Sequence, residues 1–275
     1  MGKRYLFILA LWGMLAVSCG PPPAENTPII RLKGSDTMVQ LARMWAQAYM
    51  IRTPRVSVYV EGGGSSTGIK ALLEGTTDIA MTSRLIIPGE ASKLARKFKS
   101  LGISYLVAKD AISFYVHPAN PVKNFSLDQI RDIFNGRIDN WAALGGDSAK
   151  ITVVLRPPTS GTYWYLKNHI LKPYDYGGDV IFLPTTQEVV NYIENHTHAI
   201  GFGGIGYGQQ IYHARVNGVS PTEDTIRNDQ YPVARYLYLY TVDTPNRPLS
   251  RFIDWVVSPA GQRIVRETGY TPLWP

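Results

Sequence analysis

Short apolar runs alternate with amphipathic segments along most of the chain, and this alternation predicts α/β architecture. Apolar or alternating runs predict strands at 29–33, 56–60, 78–82, 111–116, 151–155, 199–203 and 236–241. A stripe of apolar side chains at helical spacing predicts a helix beginning near Met38, with Met38, Leu41, Ala42, Trp45, Ala48 and Tyr49 on one face. Further helices are predicted at 127–134, 163–171, 252–257 and 261–267. Strands and helices therefore follow one another as in a layered α/β protein.

Several predicted strands end in turns of Gly, Ser and Thr directly before a predicted helix. These turns are GSDT at 34–37, EGGGSSTG at 61–68 and SGT at 160–162, with Arg156 just upstream of the last and Ser83-Arg84 as a fourth candidate. A helix begins with unpaired backbone N–H groups and a positive dipole end, and glycine lets an anion approach the backbone. Because the guanidinium of Arg156 has a planar fork suited to an oxyanion, we predict an anion held from two sides. The alternative for each single turn is an ordinary helix cap.

The first residues have the pattern of a secretory signal. Lys3 and Arg4 precede an apolar run over 5–17, which is too short to favour a membrane-spanning helix. The run ends at Ala16-Val-Ser-Cys19, and Cys19 is the only cysteine. This ending resembles a lipobox, so we predict a lipoprotein signal peptide over 1–18, lipidation at Cys19 and a proline-rich tether over 19–26. These features predict a periplasmic or cell-surface protein anchored to the membrane by a lipid. An ordinary signal peptide that contains a cysteine stays open.

Composition narrows the function classes. The chain has 275 residues, of which 45% are apolar, so it can bury a large core. The absence of cysteine after Cys19 excludes a disulfide framework and a thiolate metal site. The formal charge of +7 falls to about +5 once Lys3 and Arg4 are removed, which fits an anionic ligand. No nucleic-acid motif accompanies the basic residues. We predict no nucleic-acid partner, no cofactor and no metal.

Four motifs carry a resemblance to one family. They are GSDTM at 34–38, GGGSSTGIKAL at 62–72, GTTDIAMTSR at 75–84, and Arg156 followed by SGT at 160–162. Together they resemble the periplasmic phosphate-binding proteins of bacterial phosphate ABC transporters. SPAGQRIV at 258–265 and GYTPL at 269–273 are shared more widely among solute-binding proteins. The resemblance covers nearly all of the chain after the signal.

The resemblance implies two α/β lobes joined by hinge strands, the type II solute-binding fold. Lobe 1 would contain 27–109 and 233–275, and lobe 2 would contain 110–232. It also implies a monomer without enzymatic activity that binds inorganic phosphate between the lobes and delivers it to the permease of an ABC importer. Carried over residue by residue, the implied phosphate-binding set is Ser35, Asp36, Thr37, Ser65, Ser83, Arg156, Ser160, Gly161 and Thr162.

One position departs from the family pattern. Familiar members have an aspartate after the third strand, which accepts the proton of the ligand, and this chain has Ser83 there. The carboxylate of Asp36 lies in the first turn and is the candidate to take over that role. The departure affects the expected ligand geometry more than the expected class of ligand.

Two other functions stay open. Gly64-Ser-Ser-Thr-Gly68 matches the G-x-S-x-G turn of serine hydrolases, with Ser66 as the nucleophile, but the last histidine is His213 and no HGGG segment is present. Within the receptor class, sulfate and molybdate compete with phosphate as ligands. The G-x-G-x-x-G spacing at 201–206 is less favourable for a dinucleotide site, because only a short glycine-interrupted segment follows it.

Overall fold

The structure, a computed structural model, describes residues 27–274. The predicted signal peptide, the tether to residue 26 and Cys19 lie outside the described residues. In the described part of the chain, no helix is both long and apolar enough to cross a membrane.

Strands of the described residues form one large mixed sheet and a small two-stranded one. The strands are β1 Ile29–Gly34, β2 Ser57–Glu61, β3 Ile79–Thr82, β4 Ile103–Val116, β5 Asn124–Phe125, β6 Thr152–Leu155, β7 Val180–Phe182, β8 Ala199–Gly204, β9 Tyr212–His213, β10 Arg215–Val216 and β11 Ala234–Thr241. The large sheet has the order β2-β1-β3-β11-β4-β8-β6-β7, with β9 added at β4, and β10 pairs with β5. Strands β1, β2 and β3 are mutually parallel, as are β6, β7 and β8, whereas β4 and β11 run antiparallel to each other.

Helices follow most of the strands and cover the sheet. They are α1 Val39–Arg52, α2 Ser65–Glu74, α3 Pro88–Phe98, α4 Leu127–Phe134, α5 Gly161–Leu166, α6 Thr186–Asn195, α7 Glu223–Arg227, α8 Arg247–Val257 and α9 Pro259–Glu267. Short 3-10 helices occur at Asp36–Met38 and Trp141–Leu144. The apolar stripe predicted for α1 faces inward, with Leu41, Ala42 and Trp45 fully buried.

Of the four hydrophobic clusters formed by the described residues, the two largest lie in different halves of the molecule. One core draws its buried side chains from 30–108 and 237–270, and the other from 111–233. Strand β4 passes from one core to the other, since Val107 and Ala108 belong to the first and Ala111 and Ile112 to the second. Strand β11 returns beside it, so these two strands are the connection between the cores. We propose lobe boundaries near residues 109/110 and 232/233 on this basis.

Three elements differ from their predicted form, and one of them is the helix predicted at 252–257, which begins earlier, at Arg247, as α8. The strand predicted at 111–116 is the last part of a continuous strand of 14 residues, β4. The first four residues of β4 alternate between half-buried and exposed positions, and the other ten are buried. The helix predicted at 163–171 is α5 followed by a π-helical turn at Lys167–Leu171. The remaining predicted strands lie within two residues of their observed bounds.

Candidate anion-binding cleft

The polar turns predicted from the sequence lie at the carboxyl ends of parallel strands. The 3-10 helix at Asp36 follows β1, Ser83 follows β3, and α2 begins after β2. In the other half, α5 begins after β6 and α6 begins after β7. Carboxyl ends of parallel strands are the usual place for a ligand crevice in α/β sheets. The two halves of the molecule bring these ends face to face.

Arg156 is the cation at the centre of this arrangement. Only 1% of the residue is exposed, although it follows the last residue of β6. Its Nη1 donates to Thr186 Oγ1 at 2.8 Å and lies 3.0 Å from Asp36 Oδ2. Its Nε and Nη2 are buried and have no hydrogen-bond partner among the described residues. Burial lowers the pKa of the guanidinium from its ordinary value, and the charge of Asp36 opposes that shift.

Asp36 connects the two halves. Its Oδ2 accepts a hydrogen bond from the backbone N–H of Thr186 at 2.8 Å and pairs with Arg156, and both of these partners come from the half opposite Asp36. No described residue donates a hydrogen bond to Oδ1. The backbone carbonyl of Asp36 accepts from Tyr207 Oη at 2.8 Å. The carboxylate therefore already has two partners across the cleft and keeps one oxygen free.

Hydroxyl groups and a glycine complete the contact between the halves. Thr37 Oγ1 lies 3.1 Å from Thr162 Oγ1, and Ser65 Oγ lies 3.4 Å from Ser83 Oγ. A Cβ atom added at Gly161 would lie 2.3 Å from Ser65 Oγ and 2.6 Å from Ser83 Oγ. The backbone at Gly161 thus lies directly against two hydroxyls of the opposite half, and no side chain fits between them.

The helix starts differ in how their hydroxyls are used. Ser160 Oγ accepts hydrogen bonds from the backbone N–H groups of Thr162 and Tyr163, at 3.2 and 3.4 Å, as a normal helix cap. By contrast, Ser35 makes no such side-chain bond at its 3-10 helix, and α2 is preceded by Gly64, which has no side chain to offer. Ser35 is nevertheless 1% exposed and Ser65 is fully buried. Buried hydroxyls that do not cap a helix favour a ligand site over the cap alternative at these two turns.

Comparisons with known proteins agree with this geometry. A family model described as a PBP superfamily domain matches residues 21–260. The phosphate-binding protein PstS of Pseudomonas aeruginosa is 34% identical over 263 residues, which are 87% of this chain and 81% of that protein. PstS of Borreliella burgdorferi is 28% identical and covers 98% of each chain.

Solved structures give the same result. A putative phosphate ABC transporter substrate-binding protein with bound phosphate from Clostridium perfringens has a TM-score of 0.83 at 28% identity, covering 89% of this chain and 99% of its own. An ABC-type phosphate transport receptor from Vibrio cholerae has a TM-score of 0.71 at 27% identity, covering 88% and 99%. The chain belongs to the PBP superfamily, in the PstS family. The resemblance predicted from the four motifs and the two-lobed fold are confirmed.

Every site residue predicted for this PstS-family chain lies in or beside the contact between the halves. Arg156, Asp36, Thr37, Thr162, Gly161, Ser65 and Ser83 meet there directly. Ser160 caps the helix that carries Gly161, and Ser35 is buried next to Asp36. The position where familiar members have a carboxylate holds the Ser83 hydroxyl, whose backbone N–H donates to Ser65 Oγ at 3.1 Å.

Sequence reasoning missed three participants. Thr186 provides both a backbone donor to Asp36 and a hydroxyl acceptor for Arg156. The signal for it was present, because Thr185 and Glu188 form a capping box, with Thr185 Oγ1 and Glu188 Oε2 each accepting from the other residue's backbone N–H. Arg235 and Asp110 form a buried ion pair at the edge of the cleft, 2.8 Å apart. Each lies within an apolar strand, and no local pattern marks it.

Ser66, the candidate hydrolase nucleophile, is hydrogen-bonded to an arginine and not to a general base. Its Oγ accepts a hydrogen bond from Arg84 Nη2 at 2.9 Å, and Arg84 is held by Glu90 through contacts of 2.7 and 2.8 Å. An arginine donates hydrogen bonds only and cannot take a proton from a serine. Within residues 27–274, no histidine is hydrogen-bonded to Ser66. In the same part of the chain, no three His, Cys, Asp or Glu side chains are grouped to hold a metal ion.

Proposed function

We propose that this protein binds inorganic phosphate in the cleft between its two halves and delivers it to the permease of an ABC-type phosphate importer. The observation that carries the proposal is the guanidinium of Arg156. Its Nε and Nη2 form one edge of the fork, are buried and lack a partner among the described residues. A buried donor pair without an acceptor is costly, and a bidentate oxyanion satisfies both donors at once. The names of the relatives, PstS and phosphate transport receptor, support phosphate as that anion.

The surrounding groups complement such a ligand. The O–H of Ser160 is free to donate, because its oxygen uses lone pairs for the cap. Ser65, Ser83, Thr37, Thr162 and the backbone at Gly161 supply further donors around the same point. Asp36 Oδ1 is an acceptor that a protonated oxyanion can use. Phosphate and arsenate carry a proton near neutral pH and sulfate does not, so we propose that Asp36 selects for phosphate over sulfate.

The contacts between the halves support closure around the ligand. The pairs Asp36–Arg156 and Thr37–Thr162 join residues of the two proposed lobes, 27–109 with 233–275 and 110–232. Groups that meet only when the lobes approach select the closed state. Phosphate that bridges the same groups would stabilise that state further.

Location and partners follow from the same proposal. The relatives are binding proteins, and we propose that this chain is likewise not an enzyme. We further propose a monomer that is held at the periplasmic or outer face of a membrane by a lipid on Cys19. No nucleic-acid partner is proposed. Mass spectrometry of the membrane-extracted protein tests the anchor, because a diacylated Cys19 would be the first residue of the mature chain.

Isothermal titration with phosphate, arsenate, sulfate and molybdate tests the main proposal. We expect tight binding of phosphate and arsenate, with sulfate and molybdate much weaker. Small-angle scattering should show a smaller radius of gyration with phosphate, and the melting temperature should rise with phosphate concentration. Tighter binding of sulfate or molybdate than of phosphate would show that the protein is a receptor for that anion instead. Hydrolysis of a generic ester without phosphate binding would favour the hydrolase.

A further inference from the structure

A second buried arginine, Arg235, contacts the hydroxyl pair that joins the two halves. Arg235 and Asp110 are direct register partners in the β4–β11 ladder. Arg235 Nε donates to Asp110 Oδ2 at 2.9 Å, and Nη2 lies 2.8 Å from the same oxygen. Nη2 also donates to Thr162 Oγ1 at 3.0 Å and reaches Thr37 Oγ1 at 3.5 Å. One guanidinium thus contacts the hinge strand and one hydroxyl from each half.

The orientation of the two hydroxyls follows from this geometry. Arginine has no acceptor, so Thr162 Oγ1 must accept from Arg235. The two threonine oxygens are 3.1 Å apart, and one of their two O–H groups is used in the bond between them. One O–H group is left over, and it must point away from Arg235. Arg235 therefore takes up acceptor positions of this hydroxyl pair and fixes the direction in which its remaining O–H group can donate to a ligand.

The side chain of Arg235 is held in place by Asp110. Asp110 is fully buried, and its Oδ1 accepts from the backbone N–H of Ile205 at 3.1 Å. Its Oδ2 is engaged by Arg235, so the carboxylate is held on both oxygens. The fork of Arg235 therefore has one orientation, and the threonine hydroxyls receive their hydrogen bond at a fixed place. Nη1 of Arg235 is buried without a partner among the described residues.

We infer that Arg235, held by Asp110, is a positioning residue that orients the free O–H group of the Thr37–Thr162 pair to donate to an unprotonated oxygen of the bound phosphate. This inference rests on the proposed function. The inference assigns different phosphate oxygens to different residues. The hydroxyl pair donates a hydrogen bond to an unprotonated oxygen, and Asp36 accepts one from the protonated oxygen. The competing explanation is that the Arg235–Asp110 pair only stabilises the hinge strands.

A double-mutant cycle read by phosphate titration separates the two explanations. Loss of one partner of a buried pair can unfold a protein, so the exchange is made as a neutral pair, Asp110→Asn with Arg235→Gln. If Arg235 acts through the hydroxyls, this exchange weakens phosphate binding by at least about tenfold in the wild-type background, as expected for a lost charge-assisted hydrogen bond. In a Thr162→Val background the same exchange costs less than about threefold, since its target is already gone.

Arg235→Lys adds a test of charge against geometry. Lysine keeps the charge but cannot hold Asp110 and both hydroxyls with one planar group, so we expect it to lose most of the same affinity. Equal losses in both backgrounds, or full affinity in the lysine variant, would overturn the positioning role. The wild-type titration belongs to the same series. Failure of the wild type to bind phosphate would overturn the proposed function and this inference with it, whereas additive losses in a binding protein overturn only the inference.

Discussion

Two buried arginine–aspartate pairs lie near the centre of this protein. One pair joins the two sides of the cleft, and the other joins two neighbouring strands. Arg156 and Asp36 meet across the cleft at 3.0 Å, with 2% and 12% of their side chains exposed. Arg235 and Asp110 meet within one sheet at 2.8 Å, with 2% and 0% exposed. By burial and distance the pairs are nearly alike. One nevertheless joins residues of the two proposed lobes, and the other joins neighbouring strands of one sheet.

The donors left over distinguish the two pairs. Asp110 is saturated by Arg235 and the backbone of Ile205, while Asp36 keeps Oδ1 free of any described donor. Arg156 has two nitrogens without a hydrogen-bond partner among the described residues, Nε and Nη2, which form one edge of the guanidinium. Arg235 has only Nη1 without such a partner. A buried ion pair is weak evidence for stability, because desolvation offsets much of the attraction. Unused donors at a cleft are stronger evidence for a ligand than the pair itself.

The largest effect is expected from breaking the cleft pair at its cation. Arg156→Ala should weaken phosphate binding at least about 30-fold, because removing one partner of a buried charge-assisted contact costs about 2–5 kcal/mol. Ser160→Ala should cost only about 1–2 kcal/mol, as a lost cap and neutral donor. Isothermal titration measures both, with exposed Arg263→Ala as the matched control. An Arg156→Ala protein that titrates like wild type would show that the anion binds elsewhere.

Gly161→Ala tests the approach of the two halves without touching a charge. The added Cβ would fall within 2.3 Å of Ser65 Oγ, so the halves cannot reach the described contact. We expect phosphate affinity to fall about tenfold or more, equivalent to about 1.4 kcal/mol. Scattering should also show a larger radius of gyration with phosphate than the wild type gives.

The control for this change is Gly89→Ala, where an added Cβ meets nothing within 4 Å. Both variants should melt close to wild type without ligand, since the clash lies between the halves and outside either core. Unchanged compaction of Gly161→Ala with phosphate would mean that closure does not need this contact.

Sequence patterns predicted the residues of the cleft pair, Asp36 and Arg156, and missed the pair Arg235 and Asp110. Glycine and hydroxyl residues at strand ends are local signals, so the turns around Asp36, Ser65 and Gly161 can be recognised from neighbouring residues alone. Arg235 and Asp110 are 125 positions apart and each lies in an otherwise apolar strand. Their pairing depends on the register of β4 against β11, which no local pattern specifies. The length of β4 was also missed, because its first four residues alternate between half-buried and exposed positions, unlike the buried run that follows.

Asp36→Asn sharpens the comparison by removing the charge of the cleft pair while keeping its shape. The amide oxygen can still accept from Thr186, so the backbone contact survives. Arg156 then faces the ligand with its charge uncompensated, and the acceptor for the ligand's proton is weakened. We expect the ratio of phosphate to sulfate affinity to fall by about tenfold or more, since a hydrogen bond to a charged group contributes about 1.5–3 kcal/mol.

Titrations of Asp36→Asn with both anions measure this ratio, and thermal melting of the ligand-free protein provides the control. The amide keeps the hydrogen bond from Thr186 but leaves the buried Arg156 without its counter-charge, so the melting temperature is expected to fall. A variant that loses stability but keeps the wild-type ratio would assign Asp36 a purely structural role.

The smallest effect is expected away from both ion pairs, at His213, whose strand β9 pairs with the end of β4. Its Nε2 contacts the carbonyl of Gly208 at 3.0 Å and must carry a hydrogen there, so Nδ1 accepts from Ser113 Oγ at 2.7 Å. Burial lowers the pKa of this imidazole from its ordinary value of 6.5, so the folded protein keeps it neutral. Below pH 6.5 the unfolded chain takes up a proton that the folded state resists, and stability falls as the pH falls. One such group limits the slope to about 1.4 kcal/mol per pH unit.

Urea unfolding at about pH 8 and about pH 5.5, on either side of the ordinary histidine pKa, measures this effect. The free energy of unfolding should differ less between the two pH values for His213→Gln than for wild type. Equal differences would mean that the imidazole is protonated in the folded protein, and that Ser113 is not its donor.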